Sequence, residues 1–315
     1  MILQTGQRTD IPAFYSTWFA NRLKAGFVRV RNPFHPQAVT EYRLSPDVVD
    51  VIGFCSKNPS PMFPHWDLLE PYGQYWFMTI TPYGTDLEPK VPDVRTAVKT
   101  FQELSNRVGP ERIGWRYDPI LIYGNYTPSF HLAAFERLSR LLEGYTDTAV
   151  ISFIDMYPKV VRNFPGVHAV PREVRLQLGE AMADRAREHG MTLKPCGEGT
   201  ELARFGADCS GCMTMAVYEK GAGCALKPPK GLKGARDACA CYLSCDIGAY
   251  NSCAHLCRYC YANNDRRLVI ENSCRHDPES PFLIGNYEDG DKIHDVLQKS
   301  WIDMQMRLPL STYKS

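Results

Sequence analysis

The cysteines constrain this chain more than any other feature. Of 12 cysteines, 11 lie between Cys196 and Cys274, and only Cys55 stands apart. The N-terminus, Met1-Ile2-Leu3-Gln4-Thr5-Gly6-Gln7-Arg8, lacks a basic stretch followed by an apolar one, so no export signal is read. No apolar run reaches the ~18 residues of a membrane span. The expected compartment is the cytoplasm, where thiols stay reduced. A chain of 315 residues buries an adequate core without staples. Metal or cluster ligation therefore explains the cysteines better than disulfides.

Before Cys196, short apolar runs alternate with amphipathic helical patterns. Strands are expected at Ile2–Thr5, Val48–Phe54, Tyr75–Ile80, Ile113–Tyr117, Ala149–Ile154 and Met191–Pro195. Between them, Val94, Ala97, Val98, Phe101, Leu104 and Val108 keep helical spacing. So do Phe130, Ala134, Leu138 and Leu141, and then Val174, Leu178, Ala181 and Met182. A further helix is expected from about Pro12, with Phe14, Tyr15, Trp18 and Phe19 as core. This alternation predicts an α/β fold, a parallel (β/α) barrel or partial barrel of TIM type with a C-terminal cysteine-rich iron–sulfur segment. A doubly wound open sheet is the alternative. The expected organisation is a barrel core over 1–195, a cluster-binding region over 196–285 packed on the barrel mouth, and a tail over 286–315. In that tail, Ile293, Val296, Leu297 and Trp301 keep helical spacing.

Polar residues gather just after the predicted strands, where a barrel carries its active site. They are Arg8 and Asp10, Lys57 and Asn58, Arg116 and Asp118, Asp155 and Lys159, and Glu198. Loop-facing strand ends are polar in every barrel, so their interest lies in convergence on one face.

The sharpest motif is Cys253-Ala254-His255-Leu256-Cys257-Arg258-Tyr259-Cys260, a C-x3-C-x2-C spacing. Three thiolates can hold three irons of a 4Fe-4S cubane and leave the fourth iron open, whereas four would close it. Zinc also accepts such spacings, with His255 at hand, although it prefers four closed ligands. The triplet, with Tyr259 at its aromatic position, resembles the cluster loop of radical S-adenosylmethionine (SAM) enzymes. Tyr259-Cys260-Tyr261-Ala262-Asn263 is most similar to the spore photoproduct lyase branch. More of the chain, about residues 1–285, resembles an uncharacterised bacterial family carrying this triplet near its C-terminal end. That likeness rests on Arg8–Tyr15, Lys57–Pro59, Trp115–Ile120, Ser152–Asp155, Lys159-Val160 and Asp246–Tyr250. In most radical SAM enzymes the triplet follows the first barrel strand; here it follows the last.

The resemblance implies an enzyme that passes an electron from an open-site 4Fe-4S cluster to SAM. Methionine and a 5′-deoxyadenosyl radical result, and the radical abstracts hydrogen from an unknown substrate. It also implies an electron donor such as a flavodoxin or ferredoxin. Arg8, Lys57 and Arg116 are then candidates for anchoring SAM or an anionic substrate, and Tyr259 for packing on adenine or covering the cluster. Asp118, Asp155 and Glu198 are the candidate catalytic residues.

A second site is expected at Cys196, Cys209, Cys239 and Cys241, either an auxiliary cluster or a structural zinc. Cys212, Cys224, Cys245 and Cys274 are then spare, or partly substitute. Two other functions stay open: a redox protein that uses no SAM, and a zinc-organised nucleic-acid module. Lys227, Lys230, Lys233 and Arg236 form a basic loop, read foremost as solvated. A net charge of +1 speaks against a wholesale polyanion binder.

Overall fold

A computed structural model describes residues 1–229, 241–242 and 245–303. Lys230, Lys233, Arg236 and Cys239 of the expectations above lie outside these residues. Among the described residues, no helix is long and apolar enough to cross a membrane.

In chain order, the first strand β1 (Ile2–Gln4) leads to α1 (Ile11–Phe14), α2 (Ser16–Ala25) and the antiparallel hairpin β2 (Phe27–Arg31)–β3 (Ala38–Arg43). Then come β4 (Val51–Ser56), a 3-10 helix (Ser60–Leu68), β5 (Gly73–Thr79), α3 (Val94–Val108), β6 (Ile113–Ile120) and α4 (Pro128–Leu142). They are followed by β7 (Thr148–Phe153), α5 (Pro158–Asn163), α6 (Arg172–Glu188) and β8 (Thr192–Pro195). The remaining elements are two short 3-10 helices (Pro110–Arg112 and Glu201–Phe205), α7 (Met215–Ala222), α8 (Arg266–Cys274) and β9 (Lys292–Asp295).

Six strands form one parallel sheet in the order β1-β4-β5-β6-β7-β8. Each new strand joins on the same side of the last, with no reversal of direction. A doubly wound sheet requires such a reversal, so that alternative is excluded. The order suits a partial barrel; the described strands do not close into a ring. The strands are near-continuously buried, as parallel strands covered on both faces must be. Phe54 stacks on Trp76 with centroids 3.7 Å apart, and Trp115 on Phe135 at 4.8 Å. Trp18 and Phe19 of α2 join this core.

Sequence periodicity explains the crossovers. Asp93 accepts hydrogen bonds from the Arg95 and Thr96 amides and starts α3, whose Ala97, Val98, Phe101 and Leu104 are buried. Thr127 caps α4 through the Phe130 amide. Burying such an apolar face contributes more to helix stability than propensity does.

At the edge of the sheet, the Gln4 amide donates to the Cys245 carbonyl at 3.1 Å, and the Ile247 amide to the Gln4 carbonyl at 3.0 Å. Gln4 and Asp246 thus form a parallel bridge, one more strand position outside β1. The cysteine triplet and then α8 follow this bridge. The triplet, remote in sequence from β1, is its spatial neighbour.

The tail departs from expectation. Instead of a helix, residues 292–295 form β9, parallel to β3 with Ala38 opposite Lys292. The free edge of β3 satisfies the backbone there, a tertiary pairing that outweighs the helical spacing of Ile293 and Val296. Leu297 is exposed, whereas Trp301 is buried, and its amide donates to Asp50 at 2.7 Å.

Candidate functional site

The C-terminal ends of β1, β4, β6, β7 and β8 surround a cavity of about 310 Å³, and the triplet loop supplies a further wall. The volume lies within the range of small-molecule sites. Arg8, Lys57, Arg116, Asp118 and Asp155 line it, as does Tyr259. So do Cys253, Cys257 and Cys260, and on another wall Cys196 and Cys241. The convergence expected of the strand ends therefore occurs.

Four expected residues do not take part: Asn58, Lys159, Glu198 and Cys209 are absent from the lining. Glu198 lies outside the main cavity: it accepts the Phe153 amide at 2.8 Å and pairs with Arg175 at 3.0 Å. Gly197, at φ 76°, turns the chain between Cys196 and Glu198, so neighbours in sequence face different spaces. Cys209 is likewise absent from the lining; its Sγ approaches the Ala207 carbonyl at 3.9 Å. Cys212 stands in its place, with Sγ 3.4 Å from Cys196 and 3.7 Å from Cys241. Cys239 lies outside the described residues.

Cys55, unassigned by spacing, also lines the cavity, its thiol pushed up to about 11 by burial. It packs against Gly6, where an added Cβ would come within 2.3 Å of the Cys55 carbonyl oxygen. No side chain fits there, so the β1 loop can run close to β4.

Asp10 ties the triplet loop to the sheet. Its carboxylate accepts from Ser56 Oγ and the Lys57 amide, each at 2.7 Å, and from the Ala13 amide at 3.1 Å. His255 Nε2 lies 2.9 Å away, and His255 Nδ1 lies 3.2 Å from the Lys90 carbonyl. His255 is thus fully engaged in positioning the loop between its first two cysteines. A second buried carboxylate, Glu88, accepts from Lys57 Nζ at 2.8 Å, from Thr81 Oγ1 at 2.6 Å and from the Tyr259 hydroxyl. No motif marks Glu88; the sequence offers no trace of its role.

The other candidate cations are also engaged. Arg116 forms a fork with Asp118, its closest contact 2.6 Å, and its other terminal nitrogen lies 3.5 Å from Cys212 Sγ. Arg8 lies 3.7 Å from Asp246 and over the Tyr250 ring. Burial raises the Asp246 carboxyl to about 6, against the Gln7 and Gly248 amides and Arg8, which hold it down. A folded-state value above the unfolded 3.8 means that the native protein binds this proton more tightly. Stability from this group is thus present below about pH 4 and lost as pH rises through about 6. Asp246→Asn should remove that slope. Relative to the variant, the wild type should lose about 2 kcal/mol between pH 4 and 7. Parallel slopes in denaturant titrations would contradict the assignment.

The triplet thiols have a donor set that fits an open cluster. Burial pushes Cys253 well up and Cys257 up to about 12, with Lys57 opposing at Cys257. Burial also raises Cys260, whereas the Ala262 amide, donating to its Sγ at 3.3 Å, favours the thiolate. Metal binding to such thiols displaces their protons. Among the described residues, no group of three or more His, Cys, Asp or Glu side chains is already spaced to hold a single metal ion. A cubane, whose ligands sit on separate irons, needs wider spacing than one ion does. The cavity also fits a polar ligand: Thr9 Oγ1 and Gln7 Nε2 are buried with no hydrogen-bond partner among the described residues, and both residues line it.

The molecule is thus an α/β protein with a singly wound parallel sheet and a cysteine-walled cavity at its strand ends. It belongs to the family described as Domain of unknown function (DUF1848), whose model matches residues 2–262. That span holds the six-stranded sheet, the bridge beside β1 and the whole triplet. No curated protein matches the chain.

Proposed function

We propose that the protein is an iron–sulfur enzyme of radical SAM type acting on a substrate held in the cavity. The observation that carries this reading is topological. An edge strand position at 245–247, the triplet loop and α8 form one strand–loop–helix unit beside β1. The triplet therefore follows a bridge at the edge of the sheet beside the first strand; in the enzymes it resembles it follows the first barrel strand itself.

Cys253, Cys257 and Cys260, which line the cavity, would hold three irons of the cluster and leave the fourth without a protein ligand. When bound, the cluster supplies the electron for cleaving SAM to methionine and a 5′-deoxyadenosyl radical, and a flavodoxin or ferredoxin is the class of donor. The protein's share is binding and shielding. Tyr259, fixed by Glu88, covers the loop from water, and Asp10 with His255 sets its height above the sheet. Thr9 and Gln7 offer hydrogen bonds to the polar groups of SAM. Asp155 at the end of β7 is the candidate for substrate contact. Arg116 and Asp118 neutralise one another and serve the wall more than an anionic substrate.

The test is electron paramagnetic resonance of the anaerobically purified, reduced protein. A cubane signal that changes when SAM is added supports the reading. An iron–sulfur signal blind to SAM would move the protein to the plain redox class.

A further inference from the structure

We infer that the outer face of the triplet loop, with α5 and α8, is the docking surface for an acidic one-electron carrier protein of the flavodoxin or ferredoxin class. The inference rests on the proposed function and adds where the reductant sits and by what chemistry it is recognised.

Printed contacts join the three segments into one surface. Arg162 Nη2 and Asn163 Nδ2, at the end of α5, donate to the Asn264 carbonyl at 2.7 and 2.8 Å, just before α8 begins. The Arg258 guanidinium, from within the triplet, lies 4.3 Å from the ring centroid of Phe164, the residue that ends α5. On this surface two large aliphatic side chains face solvent, Val161 of α5 and Ile270 of α8, each 52% exposed.

Arginines surround them. Exposed Arg162 follows Val161, and exposed Arg266 and Arg267 precede Ile270 by four and three positions, which places them on its face of α8. The carboxylates nearby are already used: Asp265 caps α8 through the Leu268 amide, and Glu271 pairs with Arg267. Among the described residues, Arg162, Arg258 and Arg266 form no ion pair. Exposed apolar side chains rimmed by arginines mark an interaction site, and the uncompensated charge selects an acidic partner.

The location suits electron entry. Cys257 and Cys260 line the cavity, whereas Arg258 and Phe164 do not. The loop thus has an inner side for SAM and substrate and an outer side for the donor. Electron transfer slows steeply with distance, and a carrier seated on Arg258 lies next to two cluster ligands. The reduced carrier gives up one electron and the cluster gains it; no bond forms or breaks.

The test titrates the anaerobic full chain with an acidic flavodoxin by calorimetry, and follows cluster reduction by the reduced flavodoxin in stopped flow. Wild-type affinity should fall as salt rises. Arg162→Glu with Arg266→Glu should weaken binding and slow reduction by flavodoxin about tenfold, with reduction by dithionite unchanged. Arg137→Glu with Arg140→Glu, an equal charge change at exposed positions of α4, should alter neither. Should Arg162→Glu loosen the loop, Ile270→Asp at an exposed position repeats the comparison. Salt-insensitive binding, surface variants that behave as the wild type, or an equal loss in the α4 variant would each overturn the inference. A wild type that binds flavodoxin in this way yet, reduced by dithionite, releases no 5′-deoxyadenosine would remove the radical SAM reading and leave the docking surface standing.

Discussion

Replacing Cys253, Cys257 and Cys260 together by alanine should remove about four irons per chain and abolish SAM cleavage. The fold should survive the change. The triplet loop keeps its other ties: the Arg258 amide donates to the Leu87 carbonyl at 2.9 Å, and Asn263 Nδ2 to the Cys253 carbonyl at 2.9 Å. Iron and sulfide analysis beside circular dichroism checks both halves of the expectation. Iron retained in full would show that the triplet is not the ligand set. Loss of helical signal together with iron would make these cysteines structural.

Asp10→Ala should have the second largest effect, on stability and cluster retention together. Four donors converge on this carboxylate, from α1, from the end of β4 and from the triplet loop. Removing it leaves buried donors without an acceptor and separates His255 from its carboxylate. Breaking a buried, hydrogen-bonded pair costs roughly 3–5 kcal/mol. For a chain of this length that lowers the melting temperature by about 5–8 °C. Because His255 sits within the triplet, iron occupancy should fall as well. Glu198→Gln, which touches another space, should leave iron content unchanged. An Asp10→Ala protein with unchanged melting and full iron would remove Asp10 from the account.

The sheet was legible in the sequence because apolar runs such as Val51–Phe54 and Tyr75–Met78 have little choice but to be central strands. Their crossover helices announced themselves through spacing, as in α3 and α4. The hairpin β2–β3 and strand β9 were not legible. The hairpin is mostly half-buried and weakly patterned, and β9 is exposed throughout and exists only because β3 offers a free edge.

The triplet was legible because its spacing is local. The second cysteine group was less so, because Cys209 and Cys212 share one turn. Gly211, at φ 113°, lets that turn send the two sulfurs in different directions. Spacing alone carries no information on which of them faces the cavity. Asp10, Cys55 and Glu88 act through contacts between distant segments, and no local pattern encodes such contacts.

The most direct test is to reduce anaerobic protein in the presence of SAM and quantify 5′-deoxyadenosine over time by chromatography and mass spectrometry. The account predicts steady release from the wild type and none from the Cys253/Cys257/Cys260 variant. Wild-type protein with a full complement of iron and sulfide that releases no 5′-deoxyadenosine would contradict it.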